Sequence, residues 1–381
     1  MEGTSDCSLV AAFAGLSDPR QSAKMLYPLP EIMLLLLCAT LAGADDFVEI
    51  AVWGEQNLGF LRRLLPFQHG IPSHDTLGEV IAMLDPAVFR DCFTGWVTGL
   101  RTPVPEAAGP EVIAIDGKTS RRSHARRKGR EPLHLLSAWA CRQRLVLGQQ
   151  AVDGKSNEIT AIPLLLERLE LAGALVTIDA IGTQTAIAET IRGRGGDYLL
   201  ALKANHPLAH AAVVEHFDRR CFRRGAPRRA DCDGFDEAHG RLVRRRVFAS
   251  AEAAALEALG GWPSLRTVLA VESIRSLDGA PTEAESEIRY FLSSCADDPA
   301  VLARAIRAHW SIENGLHWVL DATFHEDDSR VRDRNAARNL ALLRKVALNL
   351  VGRDRTSKAS VRARRKEAAW NDGYMLQLLV G

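Results

Sequence analysis

The sequence predicts a mixed α/β core preceded by a small all-helical domain, and three observations carry that prediction. From Asp18 to about Leu100 the apolar residues recur at helical spacing. From Glu111 onward, short apolar runs rich in Val and Ile alternate with helical segments. Two of those runs end on an aspartate, Ile115-Asp116 and Ile178-Asp179. The chain is 381 residues long and 47% hydrophobic, enough for two or three domains with a sizeable core rather than disorder.

The elements follow in order. Residues 1–16 carry no strong pattern and are expected as a loose arm, with a helical domain over 17–100. Ser73 or Asp75 is placed to cap a helix through Met83, and Asp85-Pro86 opens another through Leu100. Residues 101–110, with three prolines and a glycine, read as a linker. Glu111 to Ile115 predicts a buried strand that delivers Asp116 to its end, where Gly117 permits a turn. Leu133 to Cys141 and Leu145 to Val152 predict an antiparallel hairpin. Ile159 to Leu171 is helical, Ala174 to Ile178 a strand, Thr185 to Arg192 helical, and Asp197 to Leu202 a strand ending at Lys203. That succession is the one expected of a ribonuclease-H-like core over 111–351. Between about 205 and 299 strand candidates at Arg241 to Ala249, Arg266 to Ile274 and Glu287 to Leu292 suggest a β-rich insertion. A helix follows over Val301 to Leu320, started by Asp297-Asp298-Pro299, and another over Asn335 to Val351. Residues 352–381 read as a basic tail with a short apolar helix.

The net charge of +1 provides no global field for a polyanion, but the cations are clustered. Arg121, Arg122, Arg126, Arg127, Lys128 and Arg130 form one run; Arg219, Arg220, Arg223, Arg224, Arg228 and Arg229 a second; Arg362, Arg364, Arg365 and Lys366 a third. Each alone suits a solvated loop, and together they suit phosphate backbones. The seven cysteines show neither zinc spacing nor a disulfide framework, as expected of reduced cytoplasmic thiols. The apolar run Ile32 to Ala44 is too short to span a bilayer, so no membrane partner is expected.

Asp116 and Asp179, alone, are ordinary turn formers. Brought side by side they repel unless a cation or proton lies between them, and oxygen ligands suit a hard divalent ion. On an uninterrupted helix His309, Glu313, His317 and Asp321 would form one slowly twisting polar stripe. That stripe fits a third carboxylate ligand, the exposed edge of an amphipathic helix, or a zinc site; two strand aspartates favour magnesium or manganese over zinc.

These residues carry a resemblance. The chain resembles an insertion-sequence transposase of the H-repeat-associated, or ISAs, type within the Asp-Asp-Glu superfamily. The matching stretches are Gly70 to Thr76, Val112 to Thr119, Lys155 to Pro163, Thr177 to Gln184, Gly195 to Tyr198, and His309 to Asp321 continuing through Glu326-Asp327-Asp328. The resemblance implies a ribonuclease-H-like catalytic core, Asp116, Asp179 and Glu313 as ligands of two magnesium or manganese ions, and cleavage and joining of DNA. Relatives grip DNA with a tyrosine and an arginine before the glutamate and a lysine after it. Here Ile306, His309 and Leu320 stand at roughly those places, and His309 and His317 are candidates to replace part of that grip. Lys118, Lys203 and the loop arginines Arg121, Arg122, Arg126 and Arg127 are further candidate DNA contacts. A double-stranded DNA substrate and a homodimer on DNA are expected partners. The alternatives are a nuclease of this fold that cuts without joining, and an inactive relative that only binds DNA.

Overall fold

The computed structural model describes residues 9–21, 25–102, 105, 109–124, 131–152, 157–222, 229–238, 241–276, 286–296 and 298–380. The expectations placed on Arg126, Arg127, Lys128, Arg130, Lys155, Ser156, Arg223, Arg224, Arg228 and Asp297, on residues 1–8 and on half of the linker lie outside these residues.

The chain opens with helices α1 (Leu9–Ala14), α2 (Leu29–Ala42), α3 (Phe47–Gln56), α4 (Leu58–Leu61), α5 (His74–Met83) and α6 (Pro86–Leu100). Strands β1 (Glu111–Ser120), β2 (Leu133–Ala140) and β3 (Leu145–Val152) follow, then α7 (Glu158–Leu166), β4 (Ala174–Ile178), α8 (Thr185–Gly193), β5 (Asp197–Leu202) and α9 (Pro207–Arg220). Next come β6 (Cys232–Ala238), β7 (Arg241–Ser250), β8 (Thr267–Ser276), β9 (Ser286–Ser293) and α10 (Pro299–His309). Helices α11 (Trp318–Ala322), α12 (Arg334–Arg353), α13 (Val361–Trp370) and α14 (Asp372–Val380) close the chain. They group into two compact units, the first comprising Met1–Pro103, Gly117–Asn157 and Ile312–Gly381, the second Val104–Asp116 and Glu158–Ser311.

In the first unit α2 is apolar all round, and Ile32 through Leu37 are each at most 1% exposed, so the helix runs through the core. The expected caps are in place: the Ser73 hydroxyl accepts the Thr76 N–H, and the Asp85 carboxylate accepts that of Ala87. Helix α12 ties the unit together with buried amides. The Asn339 side chain donates to the carbonyls of Ile81 and Leu84, both at 2.9 Å, and Asn349 exchanges two bonds with the Val146 backbone in β3. β2 and β3 form the expected antiparallel hairpin, turned through Arg144 in the left-handed region. Within 1–16, expected as loose, α1 buries Leu9 and Phe13.

In the second unit the strand order is β1-β4-β5-β9-β8-β7-β6. β1, β4 and β5 run parallel, β9 joins β5 antiparallel, and β8, β7 and β6 continue antiparallel. The strands expected as an insertion therefore extend the core's own sheet. The periods of α9 and β6 are too weak to be legible in the sequence. The core on one face of this sheet packs Val112, Leu175, Leu199, Val247, Leu269 and Val271 with Leu302 and Ala305 of α10.

Three expectations are corrected. β1 does not turn at Gly117 but continues to Ser120, because Lys118, Thr119 and Ser120 each find tertiary partners that hold the backbone extended. The helix expected over Val301 to Leu320 ends at His309; Glu313–His317 forms a π-helical turn before α11. Two members of the third basic run, Arg364 and Arg365, are not solvated charges. Arg364 donates to the carbonyls of Val351, Asp354 and Ser357. Arg365 is buried on the Thr40 and Thr323 carbonyls, with its guanidinium 4.0 Å over the Phe324 ring. Burial pushes its pKa down to about 10.

Replacing Arg365 by Met should therefore cost about 2–4 kcal/mol, since two buried carbonyls lose their donor. Replacing exposed Arg362 or Lys366 by Ala should change stability by no more than about 0.5 kcal/mol. Urea denaturation of the three variants checks this, and equal small effects would contradict the inward role of Arg365.

Candidate active site

The register of β1 on β4 pairs Val112 with Leu175, Ala114 with Thr177 and Ile115 with Ile178. The next pair along is Asp116 and Asp179. Side chains alternate faces along a strand, so Asp116 lies on the face of Val112 and Ala114, and Asp179 directly follows the end of β4. Val112 and Leu175 belong to the core under α10, which fixes that face as the one α10 covers. His309, the last residue of α10, has its Nδ1 2.9 Å from the Thr177 hydroxyl, two residues before Asp179. The second unit thus carries the two half-buried aspartates at the ends of neighbouring strands, with His309 bonded to Thr177 of β4.

The Asp179 carboxylate is already oriented by its own loop. Its Oδ1 accepts the N–H of Ile181 at 3.1 Å and that of Gly182 at the long distance of 3.5 Å. Gly182 is required here for room, since a Cβ would lie 2.4 Å from Cγ2 of Ile178 and 2.7 Å from Cδ1 of Ile162. Lys203 is exposed at the end of β5.

The first unit holds the remaining candidates. Glu313 is exposed and opens the π-helical turn, a wide irregular turn that often marks a functional site. The turn lies tight on β2: a Cβ on Gly315 would come 2.9 Å from Cζ2 of Trp139. His317 is buried with Nδ1 3.5 Å from a Glu313 carboxylate oxygen, close enough for the two side chains to share an ion. Burial holds the imidazole below its ordinary range, with Glu313 opposing. His317 is therefore placed to act as a neutral donor or ligand rather than as a cation.

Lys118 has a setting that sequence reasoning missed. Its ammonium lies 2.7 Å from Asp321, 3.0 Å from Asp327 and 3.3 Å from Glu326, and its side chain is only 11% exposed. Burial pulls its pKa down, but the three carboxylates outweigh that and hold it above the ordinary lysine range. Burial raises Asp321, with Lys118 opposing. Arg121 pairs with Asp327 and Arg122 with Asp328, both at the surface. The acidic run Glu326-Asp327-Asp328 was the available signal, but an acidic run ordinarily reads as a solvated face.

Beneath this cluster Lys345 of α12 is 2% exposed and donates to Oε1 of Gln149 at 2.7 Å. Burial pushes its pKa down to about 8, with Glu326 opposing and Lys118 reinforcing. No described helix is long and apolar enough to cross a membrane.

Comparisons with known proteins show the family. The Transposase DDE domain family matches residues 107–350, and the DDE_Tnp_1-associated family matches residues 10–97. YhhI of Escherichia coli K12, an H repeat-associated protein carrying a transposase name, is 36% identical over 96% of this chain and 96% of its own length. YncI of Escherichia coli O157:H7, also under a transposase name, is 37% identical over 98% of this chain and 94% of its own. A shorter relative in the K12 strain, YbfQ, is named an inactive transposase and is 40% identical over 17% of this chain and 77% of its own length.

Lys345 generates a pH test. Its folded-state pKa is depressed, so the unfolded chain binds the extra proton between about pH 8 and the ordinary lysine value. Wild-type stability should therefore rise relative to Lys345→Met across that window, by up to about 3 kcal/mol. Denaturant titrations of both proteins at pH 7 and pH 10 measure the difference; parallel curves would show that Lys345 keeps an ordinary pKa.

Proposed function

The chain belongs to the DDE transposase family, and on that premise we propose that it cleaves DNA at the ends of an insertion sequence and joins the freed 3′ ends to target DNA. The observation that supports the proposal is the β1–β4 register, which runs to Ile115 and Ile178 and leaves Asp116 and Asp179 as the next residues of the two chain segments it pairs.

Asp116, Asp179 and Glu313 are the proposed ligands of two magnesium or manganese ions. The residues fit such ions. Two adjacent carboxylates call for a compensating cation, and carboxylate oxygens suit a hard one. Asp179 accepts its loop amides on Oδ1, which leaves Oδ2 for a further partner. When bound, divalent ions there polarise the scissile phosphate and lower the cost of charge on the attacking and leaving oxygens. The chain's own part is to hold the carboxylates on rigid strands, present Glu313 from its turn, and keep His309 fixed by Thr177 beside Asp179. His317 beside Glu313 keeps a zinc reading open, but two aspartates on the strands favour the all-oxygen set. Lys203, the exposed Arg121 and Arg122, and Arg126 and Arg127 are proposed DNA contacts; Lys118, enclosed by carboxylates, is the weaker candidate. Holding two element ends together calls for a homodimer on DNA.

Asp116→Asn, Asp179→Asn and Glu313→Gln should each lower magnesium-dependent cleavage of an element-end duplex by about 10³-fold or more while leaving DNA binding intact. Undiminished cleavage in all three would show the ligands to be misassigned. A pre-cut end that yields joined product with wild type separates a transposase from a nuclease that only cuts. Neutralising Arg121, Arg122, Arg126 and Arg127 together should flatten the salt dependence of DNA binding, by about 0.9 in the log–log slope for each phosphate that is no longer neutralised. An unchanged slope would place the DNA elsewhere.

A further inference from the structure

The loop after β5, Lys203-Ala204-Asn205-His206, offers the exposed lysine already proposed for DNA, and its other polar residues are bonded to the loop that follows Asp179. The Asn205 amide donates to the Ala180 carbonyl at 2.7 Å. His206 Nε2 lies 2.5 Å from the Thr183 carbonyl, which can only accept, so Nε2 carries the proton. Between these two bonds the Thr183 side chain is fully buried, with its hydroxyl 2.7 Å from the Ala201 carbonyl of β5 and 3.1 Å from that of Asp179.

The His206 ring is itself held. It meets Trp262 edge-on, with centroids 5.6 Å apart, and the Tyr198 hydroxyl of β5 donates to the carbonyl of the adjoining Pro263 at 2.9 Å. A connected path therefore runs from the body of β5 through Trp262 and His206 to Thr183 and the Asp179 backbone. A loop tied at residue 180 and again at residue 183 cannot rotate the intervening amides that Asp179 Oδ1 accepts.

We propose that Asn205 and His206 are positioning residues for Asp179, clamping its loop so that Oδ1 stays on the backbone amides and Oδ2 is presented beside Asp116. Neither residue touches a reacting atom. Their role is to fix the angle at which one carboxylate meets a divalent cation, and partners that orient a ligand typically change metal affinity on the order of 10- to 100-fold when removed. The inference rests on Asp179 being a metal ligand, as proposed above.

Calorimetric titration of Mn2+ into the full chain tests it. Asn205→Ala and His206→Ala should each weaken Mn2+ binding on the order of 10-fold, with metal-free DNA affinity unchanged. His206→Gln should bind Mn2+ close to wild type, because its carboxamide can still donate to the Thr183 carbonyl. Asn205 is exposed, so Asn205→Ala carries the test if His206→Ala lowers the thermal midpoint. If Asp179→Asn loses an ion while Asn205→Ala and His206→Ala bind like wild type, the clamp is refuted and the metal reading stands. If Asp179→Asn also binds like wild type, Asp179 is no ligand and both fall.

Discussion

Like charges brought side by side set the terms for this protein. The pairing of Ile115 with Ile178 makes Asp116 and Asp179 the next residues at the ends of two neighbouring parallel strands. Two carboxylates so placed repel unless a cation or proton lies between them, and here both stay half-buried, with Asp179 hydrogen-bonded to its own loop. The surrounding sequence serves this arrangement. Gly182 makes room for the loop, Thr183 anchors it to β5, and Thr177 holds His309 at the rim.

The first unit solves a related problem with the opposite sign. Lys118 is withdrawn from solvent and surrounded by Asp321, Glu326 and Asp327, so the far half of β1 is joined electrostatically to the segment that follows Glu313. Buried ion clusters of this kind are poor sources of net stability but strong determinants of geometry, because removing one member strands the others. The π-helical turn has a comparable logic. The turn lies so close to Trp139 that only glycine fits at position 315, and Glu313 remains exposed at its start.

Much of this was legible in the sequence where local chemistry and tertiary demand agree. The strand-Asp repeats, the Ser73 and Asp85 caps and the hairpin follow from periodicity and capping alone. The Transposase DDE domain match to 107–350 agrees with the family that those residues suggested. Other features were illegible for physical reasons. Gly117 favours a turn, but the partners of Thr119 and Ser120, which keep the strand extended, lie at His134 and Glu326, distant in sequence. The four-residue stripe from His309 to Asp321 presumed a uniform helix, and no local signal marks the switch to a π-helical turn. Arg364 and Arg365 looked like solvated charge because a cation's carbonyl partners leave no trace in composition. Asn205 and His206 gave no signal beside Lys203 for the same reason.

The central claim is that Asp116 and Asp179 share one divalent ion. Its most direct test is to load the protein with Fe2+, generate hydroxyl radicals at the bound metal, and map the backbone breaks by mass spectrometry. The account predicts breaks beside both Asp116 and Asp179, suppressed by excess magnesium and lost in Asp179→Asn. Breaks beside neither aspartate, or a pattern that Asp179→Asn leaves unchanged, would contradict it.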